Sequence, residues 1–304
     1  MVKLYVGVTD YDWFRFLSSL ESVDEVNFWQ PGGQTNFKAL QSGELFLFKL
    51  HAPRNFIVGA GVFMSASILP VSLAWAAFGT GNGATSLDEM RARIARYRHE
   101  LTDPRQDYTI GCRILEQPIF LPQSDWIPAP VSWAPNIVSG RTYDTEDADG
   151  RALWDAIAER VAARHLPGLS EPRYGEPTLV RPRLGQGIFR VNVTEAYSRQ
   201  CAVTGERTLP ILDAAHIRPY ADGGEHEVTN GLLLRTDIHR LFDLGYVTVN
   251  NDGSFEVGRR LRHDFENGRH YYEMHGRKII WPKNPQQQPS RAALEWHQTK
   301  RFLG

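Results

Sequence analysis

Residues 209–246 read LPILDAAHIRPYADGGEHEVTNGLLLRTDIHRLFDLGY and hold three side chains suited to chemistry at set spacing: His216, Asn230 and His239. Imidazole titrates near neutral pH, so it can take a proton from water or ligate a cation. A carboxamide offers donors and an acceptor, enough to tie a loop together. Side chains alternate along a strand, so Asp213 shares a face with Ala215 and His216 takes the other. Two imidazoles with an acid beside them, at the open end of a small ββα unit, would make a site for a hard cation and a base. One histidine in such a run is more often a hydrogen-bonded core residue. The three together point to chemistry. His226 is assigned to a solvated loop, and a zinc cluster of Cys201, His216, His226 and His239 has no supporting spacing.

The elements that must position these groups follow from pattern. LPILDAAH has strand length, PYADGGEHEVTN is a polar loop with a Gly-Gly turn, and NGLLLR returns as an extended piece. TDIHRLFDLG reads as a helix, with Thr236 as N-cap, Ile238, Leu241 and Phe242 as its apolar side, and Gly245 as its stop. His239 falls at the margin of that side. Upstream, KLYVGV is a strand and DYDWFRFLSSL a helix capped by Asp10 or Asp12. LFLFKL and FIVGAGVFM are strands joined through HAPRN. In SLDEMRARIARYRHEL, Ser86 caps, Glu89 completes a capping box, and Met90, Ile94 and Tyr97 share a side. YTIGCRILEQPIFL is a strand interrupted at Pro118. Residues 122–150 read as a connector, RALWDAIAERVAARHL as a bridging helix, and EPRYGEPTLVRPRLGQG as loop. FRVNVTEAYSRQC opens a second, initially helical domain, and VTVNNDGSFEVGRRLR is a hairpin around Asn-Asp-Gly.

A chain of 304 residues suggests two domains, here 1–135 and 186–304 with a linker over 136–185. Apolar content of 42% and charged content of 23% suit a globular protein with a real core. No apolar run approaches the ~18 residues of a membrane span, and MVKLYVGVTDYDWF lacks the order of a secretion signal. Cys112 and Cys201 give no disulfide framework, so a reducing, cytoplasmic setting is expected. Net charge is −1, but residues 181–304 carry 18 Lys+Arg against 14 Asp+Glu (net +4), leaving 16 against 21 (net −5) before them. That asymmetry favours the C-terminal part for any nucleic-acid role. Arg259, Arg260, Arg262, Arg269, Arg277 and Lys278, interleaved with Tyr271 and Tyr272, suit a surface that tracks a phosphate backbone.

The order His216, Asn230, His239, with AAHIRPY, the Asn-Gly-Leu turn and CAVTG upstream, resembles the HNH, or ββα-metal, endonuclease family. The resemblance implies metal-dependent hydrolysis of DNA phosphodiesters. His216 would be the base, His239 would ligate one divalent cation, and Asn230 would hold the loop and the His216 ring. Mg2+ is the first expectation, with Mn2+, Co2+ or Ni2+ as alternatives. Arg240 and Arg218, with Arg259 and Arg260, would contact phosphate. Two positions depart from the family. Ala215 stands where many members carry a metal-binding residue, so Asp213 is taken as the substitute ligand. Of the family's two Cys-x-x-Cys pairs only Cys201 is present, with Thr204, Arg235 and Ile238 in the other places. Structural zinc needs four ligands, so none is expected, and Leu209, Ile211, Leu233 and Phe242 must pack in its stead.

The N-terminal part resembles the PUA superfamily of EVE or ASCH kind, through Trp29-x-Pro31, Asn36-Phe37, the Gly43-Glu44 step into LFLFKL, and IVGAGVF. It implies an α+β chain: a PUA-like β-barrel with flanking helices, a linker helix, and a C-terminal ββα-metal domain. Such barrels bind RNA or draw a modified base from a duplex, at an unstacking cost of a few kcal/mol offset by aromatic stacking. Trp29 is the first choice for a stacking wall, with Phe37, Trp13 and Trp75 behind it, and Asn27, Gln30 and Asp10 for the base edge; core packing is the stronger reading for Phe37 and Trp75. Together the two resemblances suggest a modification-dependent restriction enzyme acting on double-stranded DNA, leaving 5′-phosphate and 3′-hydroxyl ends, with a homodimer supplying two cuts. The rivals are an HNH nuclease or nickase without modification sensing, and a non-catalytic RNA- or DNA-binding protein.

Overall fold

The computed structural model describes residues 2–32, 37–98, 103, 106–162 and 185–304. Asn36, the end of the helix expected to reach Leu101, and most of the loop expected over 171–187 lie outside these residues. The chain is α+β and divides into two compact units, 1–183 and 184–304. Among the described residues, no helix is long and apolar enough to cross a membrane.

The first unit is built on a mixed seven-stranded sheet: β1 (Lys3–Thr9), β2 (Glu25–Gln30), β3 (Leu45–Leu50), β4 (Phe56–Pro70), β5 (Thr109–Phe120), β6 (Ile127–Pro128) and β7 (Gly140–Asp144). Their order is β2-β5-β4-β3-β1-β7, with β6 on β4, and β1 runs parallel to β3. β3 is buried at every position, as an unbroken apolar run in mid-sheet should be. Its lysine, Lys49, donates to Leu50 O at 3.0 Å and Asn55 Oδ1 at 2.8 Å. Gly7 of β1 is required by close approach, since a Cβ there would stand 2.4 Å from Phe46. Helix α1 (Tyr11–Ser18) starts at Asp10, whose Oδ1 accepts from Trp13 N at 2.7 Å, and buries Trp13, Phe14 and Leu17. α2 (Val71–Phe78) and α3 (Leu87–Ala95) follow β4, with Ser86 capping α3 as expected. Glu89, however, bonds Thr85 rather than closing on Ser86. β5 runs through Pro118, with Gln117 taking up the irregularity at φ 49°.

Two connections differ from expectation. The stretch over 122–150 holds β6 and β7, and β7 completes the sheet beside β1. α4 (Ala148–Ala162), expected to bridge, packs against β1 and β7 and buries Leu153, Trp154 and Ile157 in the first unit.

The second unit begins with α5 (Gln186–Ala196), then β8 (Leu212–His216) and β9 (Gly231–Arg235) as an antiparallel pair, and α6 (Thr236–Asp243). The hairpin β10 (Val247–Val249) and β11 (Phe255–Val257) turns at Asn-Asp-Gly. α7 (Arg259–Phe265), α8 (Arg269–Tyr272) and α9 (Arg291–Lys300) complete it. The core gathers Phe189, Tyr197, Leu233, Ile238, Phe242 and Leu294, among others. Leu209 packs at its edge, whereas Ile211 is 40% exposed and does not join it.

Candidate active site

The arrangement starts from a missing side chain. Gly231 stands opposite His216 in the β8–β9 pair, and a Cβ there would meet Val193 Cγ2 at 2.4 Å. Glycine lets α5 lie directly on the hairpin. Phe189 of α5 then stacks under His216, centroids 3.8 Å apart and planes at 11°. The next residue, Arg190, donates from Nη2 to Leu212 O at 3.2 Å and stands 3.4 Å from Asp213 Oδ1.

Asn230 closes the loop between the strands. Its Oδ1 accepts from Arg218 N, and its Nδ2 donates to Arg218 O and Glu225 O, all at 2.9 Å. Glu225 precedes His226, which the sequence assigned to a solvated loop. Instead His226 is half-buried, and its Nδ1 lies 2.9 Å from His216 Nε2. Tyr220 stacks on the far side of His226, at 5.0 Å and 8°. The polar character of HEVTN concealed an inward-facing ring.

His239, on α6, faces two carboxylates: Asp213 Oδ2 lies 3.6 Å from Nδ1 and Asp243 Oδ2 lies 3.3 Å from Nε2. Asp243 sits one turn after His239 on the same helix face, a spacing readable in the sequence. The helix begins differently from expectation. Arg235 is the capping residue, without a side-chain cap, and the Thr236 hydroxyl donates to Ile211 O at 3.0 Å. The His239 imidazole and then Arg190 hold the Asp213 carboxyl below its usual range, against the opposing effect of burial. Burial, with His226 and His239 as neighbours of like charge, pushes His216 down to about 4. His216 is therefore neutral near pH 7, as a base must be.

In the first unit a cavity of about 330 Å³ opens between Asp10, Trp13, Trp29, Gln30, His51 and Tyr97, with Arg113 also in its wall. Trp29 is fixed by its indole N–H, which donates to Asn82 O at 2.9 Å. The Gln30 carbonyl accepts from the buried Arg113 at 2.6 Å. Four of the residues expected at a base pocket, Trp29, Gln30, Trp13 and Asp10, thus share this cavity. Asn27 does not: it is fully buried, and its Nδ2 donates to Asn82 Oδ1 and contacts Cys112 Sγ. Phe37 is not in the wall either; it packs among Tyr5, Phe46 and Phe63, with Arg113 over its ring. Trp75, on α2, is not part of the cavity lining. Tyr97 and His51 were missed; Tyr97 lies past the end of α3 and stacks on His51 instead of continuing the Met90–Ile94 side.

Residues 201–250 match the family model described as HNH endonuclease. The second unit carries an HNH endonuclease domain. None of the curated proteins compared with the chain matches it. Among solved structures, ASCH from Zymomonas mobilis aligns at 11% identity and TM-score 0.33, covering 50% of this chain and 94% of its own. The modification-dependent TagI restriction endonuclease aligns at 14% identity and TM-score 0.30, covering 98% of this chain and 81% of its own.

HNH nucleases are metal-dependent. Among the described residues no group of three or more His, Cys, Asp or Glu is arranged to hold a metal ion. Asp213 Oδ2 and His239 Nδ1, 3.6 Å apart, are the pair that would hold one, with water and substrate phosphate filling the rest of its shell. The chain around Cys201, the knuckle of the HNH domain, is tied to the start of α6 by hydrogen bonds and an ion pair. Cys201 Sγ accepts from Arg235 N at 3.3 Å, the Arg235 guanidinium grips Asp237 at 2.6 and 2.7 Å, and Tyr271 donates to Asp237 at 3.1 Å.

Of the expected phosphate contacts, Arg240 and Arg259 are exposed. Arg218 is tied back to Asp222 O at 2.7 Å and lies over the Trp296 ring. The basic surface is less open than its composition suggests. Arg260 pairs with Asp264, Arg269 with Glu273, and Lys278 with Asp252. Both tyrosines are engaged too, Tyr272 donating to Gly258 O and Tyr271 to Asp237.

Proposed function

We propose that the chain is a modification-dependent DNA endonuclease: the first unit binds a flipped modified base and the HNH domain hydrolyses the strand. His216 takes a proton from water, and the resulting hydroxide attacks phosphorus as the bond to the 3′ oxygen breaks; that oxygen takes a proton from solvent water, leaving 5′-phosphate and 3′-hydroxyl ends. Asp213 and His239 hold the divalent cation, Mg2+ or a transition-metal substitute, which when bound supplies positive charge to the phosphate and leaving oxygen. Asn230 holds the loop, and Arg240 and Arg218 orient the backbone. The sensing task falls to the first unit, including β7 and α4 beyond the limit of 135 expected from sequence, and the cutting task to the second unit. Two copies on DNA account for a double-strand break.

Base sensing rests on one observation, the aromatic cavity of about 330 Å³ with Asp10 and Gln30 at its polar edge. Trp29 offers the stacking face. Arg113 occupies the Gln30 carbonyl, which leaves the amide nitrogen to donate to a base, while Asp10 accepts. The test is digestion of matched duplexes carrying cytosine, 5-methylcytosine, 5-hydroxymethylcytosine, N6-methyladenine or phosphorothioate, titrated with Mg2+ or Mn2+ against EDTA. The proposal expects one modified duplex to be cut preferentially, and Trp29→Ala to erase that preference while leaving residual cutting. Equal cutting of all duplexes makes the chain a nuclease or nickase without sensing. No cutting with any metal makes it a binding protein.

A further inference from the structure

We infer that His226 is a positioning residue for the hydrolysis: it fixes the tautomer of His216, holding the proton on Nε2 and leaving Nδ1 to take the proton of water. The inference rests on the reading of His216 as the base. A neutral imidazole has one donor and one acceptor nitrogen. The 2.9 Å contact between His216 Nε2 and His226 Nδ1 therefore contains one proton, and either ring can own it. If His226 owned it, the proton of His216 would sit on Nδ1, and neither nitrogen would be left to act as a base. If His216 owns it, Nδ1 keeps a lone pair. That nitrogen has no hydrogen-bond partner among the described residues.

The geometry is that of a held pair. The rings meet at 67° with centroids 4.9 Å apart. Phe189 stacks on His216, Tyr220 stacks on His226, and Asn230 grips the carbonyl of Glu225, the residue before His226. Both rings are thus restrained from swinging away from each other. When Nδ1 of His216 takes the proton from water, the ring becomes a cation, and its Nε2–H donates to neutral His226. A hydrogen bond from a charged donor is roughly twice as strong as a neutral one, so the contact strengthens as the reaction proceeds. The third member of a serine hydrolase triad acts on its histidine in the same way, except that here the acceptor is neutral.

Three proteins test this: wild type, His226→Leu, which removes the acceptor and keeps an apolar body against Tyr220, and His226→Gln, whose carbonyl can accept from Nε2–H. Long-range proton–nitrogen correlation spectra of 15N-histidine-labelled, metal-free protein report which nitrogen of His216 carries the proton. Wild type and His226→Gln are expected to show it on Nε2, and His226→Leu a mixture. Cleavage of supercoiled plasmid carrying 5-methylcytosine, in Mn2+, is expected to lose kcat by about 10- to 100-fold in His226→Leu, the worth of a hydrogen bond to a charged group. KM is expected to stay put, and His226→Gln to recover most of the loss. A proton on Nδ1 of His216 in the wild type, or a His226→Leu variant that cuts at the wild-type rate, overturns the inference. His216→Ala distinguishes the underlying reading: cutting retained in that variant removes His216 as the base, whereas its loss beside a fully active His226→Leu removes only the role of His226.

Discussion

Truncating Asn230 is the sharpest test of how the loop over 217–230 is held. The carboxamide is 7% exposed and makes three hydrogen bonds of 2.9 Å, to Arg218 N, Arg218 O and Glu225 O. The loop has its own turn, with Gly223 N bonded to Tyr220 O and Gly224 N to Pro219 O, so Asn230 does not shape the turn. It fastens the two ends of that turn to the start of β9. A net ~1 kcal/mol for each neutral bond, with some cost for backbone groups left unpaired, predicts that Asn230→Ala loses about 2–4 kcal/mol. Urea unfolding of the full chain measures the global part. Amide exchange measures the local part: Arg218 N–H, bonded to Asn230 Oδ1, should lose protection by about 100-fold if 2.8 kcal/mol is lost, at 1.4 kcal/mol per tenfold. Asn230→Asp should be no better, since it keeps the acceptor but turns a carboxylate towards two carbonyls. Cutting should fall with loop order, because His226 rides on the loop. A loss below about 1 kcal/mol with the Arg218 amide still protected would refute the reasoning, since the loop would then be held by other contacts.

His216→Ala should abolish cutting while DNA binding, measured by gel shift, stays within a few-fold, because a base is needed only for chemistry. EDTA should abolish cutting without lowering the thermal midpoint, given that the knuckle is held by Arg235, Asp237 and Tyr271; a fall in the midpoint would reveal a structural metal. His297 is 2% exposed, stacks on Phe242, and pairs its ring nitrogens with Thr248 Oγ1 and Phe242 O. Burial pushes it down to about 4. The unfolded chain therefore binds the proton first on acidification: stability from this group is full above pH ~6.5 and is lost as pH falls towards ~4, to a total of roughly 3 kcal/mol. Urea midpoints at pH 7.5 and 4.5 should differ less in His297→Gln than in wild type; an unchanged difference would assign the acid sensitivity elsewhere.

Local chemistry was legible where a signal is local. The caps at Asp10 and Ser86, the β3–β4 hairpin, the strand-loop-strand-helix order around His216, and the Asn-Asp-Gly turn all rest on a few neighbouring residues. Elements defined by a distant partner were not. β7, GRTYD, is a polar edge strand that exists because β1 offers it a ladder, and a Pro-rich context masked it. Thr236 looked like a cap because its type suits one, but the Ile211 carbonyl lies within reach and claims its hydroxyl. Tyr97 fell on the helical period, but the helix ends at Ala95 and the cavity takes the ring. Charge pairing was equally hidden: the count of cations after Arg259 says nothing of Asp264, Glu273 and Asp252 standing against three of them.

The site shows the same division at finer grain. Strand alternation alone puts Asp213 and Ala215 on one face. The structure adds why the acid stands at 213 and not at 215. Ala215 is 0% exposed and lies within the core with Leu233 and Ile238, where a carboxylate would be stranded without water. Asp213 is two residues nearer the strand's start, where the core thins enough for Arg190 and His239 to reach it. Arg190 could not be found by spacing, because nothing in its helix marks it. Its place depends on α5 lying against the hairpin, and that depends on Gly231 lacking a Cβ that would strike Val193. The glycine is visible in the Asn-Gly pair, but reading it as a turn residue misses its use as a seat for a helix. A larger side chain at 231 should therefore disturb Phe189 and Arg190 together, and through them both His216 and Asp213.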